Sequence, residues 1–261
     1  MDRFYRENGD VVTPHQCEAP KNDVEYFLVL VDPAIVHAKC NVEKIRENDM
    51  IKDERRDFDS EAASWDEKPG RVKLVADIAG AIIKEIPLNA NMDVLDFGCG
   101  TGLLSLQLQP FVHSITGVDS AQGMIDVLTQ KIEKKNLTNV RTLFFDMDRG
   151  DVLEGRYHLI VSSMTLHHVK EIKDILDQFY HVALPSGYVC LADLDSEGGL
   201  FHSDNRGVMH FGFDRKRMGQ LLIEAGFDQV RHRTAATVMK PVHDGKMVEF
   251  SVFLVMGRKG A

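Results

Sequence analysis

The stretch VLDFGCGTG, residues 94 to 102, sets Asp96, Gly98, Gly100 and Gly102 directly behind an apolar run. Glycines at this spacing let a backbone turn tightly and approach a bound molecule with no Cβ in the way, and such turns after strands cradle phosphates, dinucleotides or other cofactors. Asp119 closes the run SITGVD about twenty residues beyond the loop, the distance at which a carboxylate takes two ribose hydroxyls. The ligand is therefore expected to carry an adenosine-like ribose. Two features turn away from NAD. The spacing is G-x-G-x-G rather than G-x-G-x-x-G, and Asp96 would set negative charge against a pyrophosphate; a carboxylate there suits a cationic ligand. A second pair of reactive groups is His167 and His168. Imidazole titrates near neutrality and can take a proton from a hydroxyl or an acidic carbon, although a histidine at such a place can equally cap a helix or pack against a cofactor.

These residues need elements to position them. Val75, Ile78, Ala79, Ile82, Ile83 and Ile86 recur at helical spacing, which predicts an amphipathic helix over 70–86. A strand at 92–97 then leads into the glycine turn, with a helix beginning near Thr101. The strand 114–119 precedes a helix capped by Ser120, with Met124, Ile125, Leu128 and Ile132 on one face. VRTLFFD (140–146) and YHLIVSS (157–163) read as buried strands, a helix is expected at 171–182, and GYVCLADL (187–194) makes a fifth strand. Strands alternating with helices predict a parallel sheet covered on both faces, an α/β doubly wound arrangement of Rossmann-like type. The tail departs from that rhythm. After a helix at 214–225, capped by Asp214 and ended by Gly226, two β-like runs at 228–239 and 247–257 follow with no helix between them. They must form a hairpin, so one strand runs antiparallel to the rest, giving a mostly parallel seven-stranded sheet.

With 261 residues, 44% hydrophobic and 27% charged, the chain can bury a large α/β domain plus an appendage. A formal net charge of −9 argues against gripping nucleic acid or anionic membrane through a basic face. Cys17, Cys40, Cys99 and Cys190 are scattered without the short spacing of a zinc knuckle or redox dithiol, which fits a reducing cytoplasm. Tyr26–Val31 and Val252–Met256 are too short to span a bilayer, and charged residues interrupt the start from Asp2 to Asp10, so no signal peptide is expected. Residues 1–49, broken by Pro14, Pro20 and Pro33, form an extension of unassigned role, with Tyr26–Val31 and Ala34–Val42 as its candidate elements; the main domain is expected over 50–261, starting at Met50.

Together, D-x-G-x-G-x-G after the first strand, the acidic end of the second, FDMD (145–148) after the third, and the terminal hairpin resemble the class I S-adenosylmethionine-dependent methyltransferases over roughly residues 55–258. The resemblance implies that Asp96 and the backbone of Gly98, Cys99, Gly100, Thr101 and Gly102 surround the methionine part of S-adenosylmethionine. It implies that Asp119 holds the ribose hydroxyls with Ser120 and Met124 nearby. Asp146 would accept from the adenine amino group, Met147 would touch the ring, and Ser162 would lie beneath the sulfonium. For Asp119 and Asp146, a plain turn-forming aspartate is the alternative.

YHLIVSSMTLHHV is similar to the fourth-strand region of small-molecule methyltransferases, including the ubiquinone and menaquinone enzymes. Ser162-Ser163-Met164-Thr165 stands where nucleic-acid amino-methylating enzymes carry (N/D)-P-P-(Y/F), and the paired glutamates of protein arginine methyltransferases are missing, so a nucleic-acid acceptor or a protein arginine is not expected. His167 and His168 are the candidate general bases. Asp193, Asp195, His202 and His210 invite a metal reading, but no ligand spacing supports it and no metal is expected. Residues 196–213 exceed an ordinary connection and are expected to form a lid over the acceptor, with Phe201, His202, Met209, His210 and Phe211 facing a small, partly apolar molecule. FDSEAASWDEKPGR (58–71) resembles the family's entry segment, with Phe58 and Trp65 as gating or core aromatics. The expected function is methyl transfer to a small molecule by in-line displacement. A cofactor-binding module without turnover is the alternative, and an NAD-dependent oxidoreductase is disfavoured by Asp96 and the hairpin. Oligomeric state is not legible.

Overall fold

The computed structural model describes residues 4–5, 11–12, 56–242 and 245–261. The chain divides into two units, Met1–Asp53 and Glu54–Ala261. In the first, Phe4–Tyr5 pairs antiparallel with Val11–Val12. Tyr26–Val31, Ala34–Val42 and Met50 lie outside the described residues.

The second unit is built on seven strands: β1 (Asp93–Phe97), β2 (Ser114–Asp119), β3 (Val140–Phe144), β4 (Tyr157–Ser163), β5 (Ala183–Leu194), β6 (Asp228–Pro241) and β7 (Met247–Arg258). They lie in the order β3-β2-β1-β4-β5-β7-β6. β7 alone runs opposite to the other six strands, pairing antiparallel with both β5 and β6. The expected mostly parallel sheet with its terminal hairpin is therefore the architecture present.

Side-chain alternation along each strand decides the two faces. Helix α1 (Phe58–Glu61) precedes α2 (Pro69–Glu85), and Val94, Ile115, Val161, Cys190 and Leu254 belong to one core with Ile78 and Ile82 of α2. Their neighbours Leu95, Val118, Ile160, Leu191 and Val255 belong to the other, with Leu176 and Phe179 of α5 (Ile172–Val182) and Met218 and Leu222 of α6 (Arg215–Glu224). Pro69 opens α2, where its missing N–H costs nothing, and the helix ends before Pro87. Asp214 caps α6 by accepting from Arg217 N at 2.8 Å, and Gly226 ends it at φ +106°.

Three local expectations need correction. Helix α4 (Gln122–Lys134) has Ala121 at its N-cap and no side-chain cap, and Ser120 is exposed, because the Asp119 carboxylate accepts from Ala121 N at 2.9 Å instead. The helix expected from Thr101 is reduced to α3 (Ser105–Leu108), since Gly100 and Gly102 both take positive φ and delay it. VRTLFFD is not buried throughout: β3 is the sheet edge and leaves Leu143 and Phe144 exposed. An apolar run cannot by itself tell an edge strand from a central one.

Candidate active site

The strand order reverses at β1, which has β2 on one side and β4 on the other. A parallel sheet opens a crevice at such a switch point beyond the carboxyl ends of the strands. The loops after β1 and β4 meet there: Thr165 Oγ1 donates to Gly98 O at 3.2 Å, and Ser162 Oγ donates to Phe97 O at 3.0 Å. Gly98 sits at φ +70°, and a Cβ on it would fall 2.1 Å from Thr165 Cγ2, so only glycine lets these two loops close on each other. Gly100, at φ +54°, has open space where its Cβ would stand, which is the cradle a ligand needs.

Of the carboxylates at this end, Asp96 and Asp146 are buried and Asp119 is half-buried. Asp96 is 1% exposed and accepts from Ser105 Oγ at 2.6 Å; burial raises its pKa to about 7, against the pull of the Ser105 hydrogen bond. Asp119 accepts from Gly100 N at 2.8 Å as well as from Ala121 N, tying the glycine turn to the start of α4. Burial raises its pKa also, with those backbone donors opposing. Buried carboxylates side by side make a site that a cationic ligand would relieve. Asp146 caps the short turn Met147–Arg149 through Asp148 N and pairs with Arg149 at 3.3 Å, as a turn-forming aspartate would. Met124 is buried with Ala121 beside Phe58 and Trp65, and Met147 packs against the second core. Cys99 is buried, and burial pushes its thiol well above the ordinary range, so it is inert packing.

A segment before α2 reaches across this end. Thr101 Oγ1 donates to Asp66 Oδ1 at 2.6 Å, Lys131 Nζ bridges Asp66 and Thr101 O, and Gly123 N donates to Asp59 Oδ1 at 2.6 Å. Phe58 packs edge-on against Trp65 and, at 5.0 Å, against His168. Asp59, Asp66 and Lys131 were not singled out from the sequence; an acidic residue in an entry segment carries no local mark of its partner.

The other end of the crevice is a histidine cluster. His167 is 1% exposed, and its Nδ1 lies 2.7 Å from the Asp193 carboxylate at the end of β5. Burial alone would push the Asp193 carboxyl up, yet the His167 ring and hydrogen bonds from Leu194 N and His167 N hold it below its ordinary value. The ionised carboxylate therefore accepts a hydrogen bond from Nδ1–H and leaves Nε2 as the working nitrogen. His168 Nδ1 lies 2.7 Å from Gly207 O, and burial drives its pKa to about 3. His202 comes from residues 196–213, its ring centroid 5.0 Å from that of His167; burial drives its pKa to about 4, helped by the charges of His167, Arg56 and Lys240. That segment is tied down over the cluster: Met209 N and His210 N both donate to His167 O. Phe201 is buried under Lys240, whose Nζ stands 3.9 Å from the ring centroid, whereas Met209 and Phe211 are exposed. His210 contacts Val169 O at 2.9 Å and Asp195 pairs with Arg215 at 2.5 Å, so Asp193, Asp195, His202 and His210 do not share a centre. Among the described residues three buried side-chain polar atoms have no hydrogen-bond partner: Ser163 Oγ, Glu197 Oε1 and His202 Nε2. All belong to the end of β4 or to the segment over the cluster. A cavity of about 390 Å³ opens instead at the opposite ends of β1, β2 and β4, lined by Asp93, Arg141 and Arg156, away from all these groups.

Comparison with known proteins agrees with this fold. Residues 71–232 match the family model described as a methyltransferase domain. An uncharacterized methyltransferase of Schizosaccharomyces pombe is 32% identical over 138 residues, 47% of this chain and 48% of that protein. A ubiquinone biosynthesis O-methyltransferase of Coxiella burnetii is 27% identical over 146 residues, 55% of this chain and 62% of that protein. The chain thus spans about half the length of the first of these relatives and under two thirds of the second. The structure of phosphoethanolamine N-methyltransferase 2 of Haemonchus contortus in complex with S-adenosyl-L-methionine superposes with a TM-score of 0.57 at 14% identity, covering 70% of this chain and 52% of that one, a likeness of fold. The family match over most of the domain, joined to the glycine loop at the switch point and the terminal antiparallel strand, establishes that the chain belongs to the class I S-adenosylmethionine-dependent methyltransferases.

Proposed function

We propose that the chain transfers the methyl group of S-adenosylmethionine to a small-molecule acceptor, with the cofactor at the glycine-loop end and the acceptor at the histidine end. The observation that carries this reading is the pairing of an open glycine cradle beside buried carboxylates with unpartnered buried polar atoms across the same crevice. When bound, the cofactor supplies an electrophilic methyl on a sulfonium, which leaves with its electron pair staying on sulfur. In this reading Asp96 and the Gly98–Gly102 backbone face the methionine part, and Asp119 takes the ribose hydroxyls beside Ser120 and Met124. Asp146 and Met147 receive the adenine, and Ser162 lies near the sulfonium. His167, oriented by Asp193, accepts the acceptor's proton at Nε2 if the nucleophile still carries one; His168 serves as its neutral neighbour and the alternative base. Residues 196–213 act as a lid, with Phe58 and Trp65 closing the other side. Holding the two partners in line and keeping water out supply most of the acceleration.

The name of the Coxiella relative supports a small-molecule acceptor, and the net charge of −9 supports one that is not a nucleic acid. Among the described residues no helix is long and apolar enough to cross a membrane, and Cys99 and Cys190 are free and buried, in keeping with a reducing cytoplasm. The test is calorimetric titration with S-adenosylhomocysteine beside NADH, followed by turnover of labelled S-adenosylmethionine on a panel of hydroxyl, amine, thiol and carbon acids. Selective binding and turnover support the proposal. Selective NADH binding overturns the cofactor, and binding without any turnover leaves a cofactor-binding module.

A further inference from the structure

His167, His168 and His202 each offer one nitrogen such that all three ligand atoms lie within 4.8 Å of one another. Two come from the turn after β4 and the third from a segment more than thirty residues later in the chain, so the grouping is made by the fold. The remaining hydrogen bonds decide which nitrogens are available. His167 Nδ1 faces the Asp193 carboxylate and His168 Nδ1 faces Gly207 O, both at 2.7 Å. Each acceptor takes an N–H and leaves the Nε2 lone pair directed elsewhere. A ring proton held by a carboxylate or a carbonyl is the arrangement that fixes the tautomer of metal-binding histidines and raises their basicity. His202 Nε2 is buried with no partner at all. Its Nδ1 lies 3.4 Å from Arg56 Nη1, beyond the usual range for such a bond, and so does not force the proton onto Nε2.

We propose that His167, His168 and His202 bind one divalent first-row transition-metal ion through their Nε2 atoms, with an open fourth position directed into the acceptor end of the crevice. Three imidazoles and an open position suit zinc and its neighbours rather than calcium or magnesium, which prefer oxygen ligands. Zinc would hold these nitrogens about 2.0–2.1 Å from the ion, and His202, whose Nε2 has no bond to lose, can rotate to meet that geometry. The charges around the site are mixed. Arg56 and Lys240 oppose a cation. Arg56, however, is held by Glu61 at 2.7 and 2.8 Å, Lys240 donates to Phe201 O, and the Asp193 carboxylate lies directly behind His167. The open position would take an oxygen- or nitrogen-bearing acceptor; with the ion bound, His167 Nε2 would be a ligand rather than the base, and the ion would instead lower the acceptor's pKa so that its proton leaves to solvent. That role rests on the methyltransferase reading, whereas the binding of the ion does not.

The test is titration of chelator-treated, full-length protein with Co2+, read by visible absorption, with Zn2+ competition and S-adenosylhomocysteine calorimetry on the same preparation. The expected result is saturation at one ion per chain with the spectrum of nitrogen-ligated cobalt, displaced by Zn2+. His202→Ala and His202→Gln should each weaken it at least tenfold, while His113→Ala, at an exposed histidine paired with Asp93, should leave it unchanged. Circular dichroism confirms that each variant is folded. Absent binding, binding of several ions per chain, or equal affinity in the His202 variants overturns the metal site. If S-adenosylhomocysteine still binds in that case, the methyltransferase reading stands without it; if cobalt binds and S-adenosylhomocysteine does not, the reverse holds.

Discussion

The two ends of the crevice are built differently. At the glycine-loop end the groups offered to a ligand are largely backbone, and they are held by bonds between neighbouring segments: Gly100 N to Asp119, Gly98 N and Cys99 N to Val118 O, Thr165 to Gly98 O. At the histidine end they are side chains drawn from widely separated stretches, His167 and His168 after β4, Asp193 on β5, His202 in residues 196–213 and Lys240 on β6. A backbone cradle offers the same amides whatever the side chains are, provided that glycine stays where φ is positive. A side-chain cluster changes its chemistry with every substitution. In the proposed reading one end can therefore keep the cofactor while the other changes acceptor, which is why fold and cofactor do not name the substrate.

Six substitutions break or sharpen that contrast. The largest effect is expected at the histidine end and on turnover alone. His167→Ala should lower methyl transfer by about 10²- to 10⁴-fold, the usual worth of a positioned base, and leave S-adenosylhomocysteine affinity within about twofold. His168→Ala should do the same more weakly. Unchanged rates in both variants would remove the proposed base. Gly98→Ala comes next and acts on stability. The added Cβ meets Thr165 in a left-handed backbone, which should cost about 2–4 kcal/mol and abolish cofactor binding, whereas Gly100→Ala, strained in φ but free of contacts, should cost about 1 kcal/mol in thermal unfolding. Equal losses would show that the close approach to Thr165 does not matter.

Asp119→Ala removes an acceptor shared by Gly100 N and Ala121 N as well as the proposed ribose contact. Calorimetry should show S-adenosylhomocysteine affinity lower by about 30- to 100-fold, or about 2–3 kcal/mol. Unchanged affinity would refute the assignment. The smallest effect is one of pH. Because burial raises Asp96 to about 7, its ionisation costs the free protein stability progressively from the ordinary carboxylate range up to about pH 7, and by a constant amount above it. A cationic cofactor reverses that preference. Affinity for S-adenosylmethionine should therefore fall as pH drops from 8 to 6, by at most about tenfold per unit, and the slope should flatten in Asp96→Asn. An identical slope in the variant would exclude Asp96 as its source.

Much of the glycine-loop end was legible in the sequence. Periodicity separated strands from helices, the positive-φ glycines marked the turn, and Asp119 lay at a spacing that parallel βαβ geometry dictates. The lapses were local: Asp119 took the capping bond expected of Ser120, and β3 proved to be an edge. Hydropathy records how apolar a strand is, but its place in the sheet depends on strands elsewhere in the chain.

The histidine end was legible only as a pair of candidates. Asp193 and His202 were noticed for a metal grouping with Asp195 and His210 that the structure disperses, while the association of His202 with His167 and His168 escaped notice. Sequence alone determined the alternation of strands and helices, the glycine turn and the second-strand carboxylate, because each depends on contacts within a few residues or on the repeat of one βαβ unit. Tertiary structure alone decided which distant side chains share a buried space: Asp193 behind His167, His202 above it, Asp66 across Thr101 to Lys131. Those groupings are made by loop closure and strand order, and neither leaves a periodic trace in the chain.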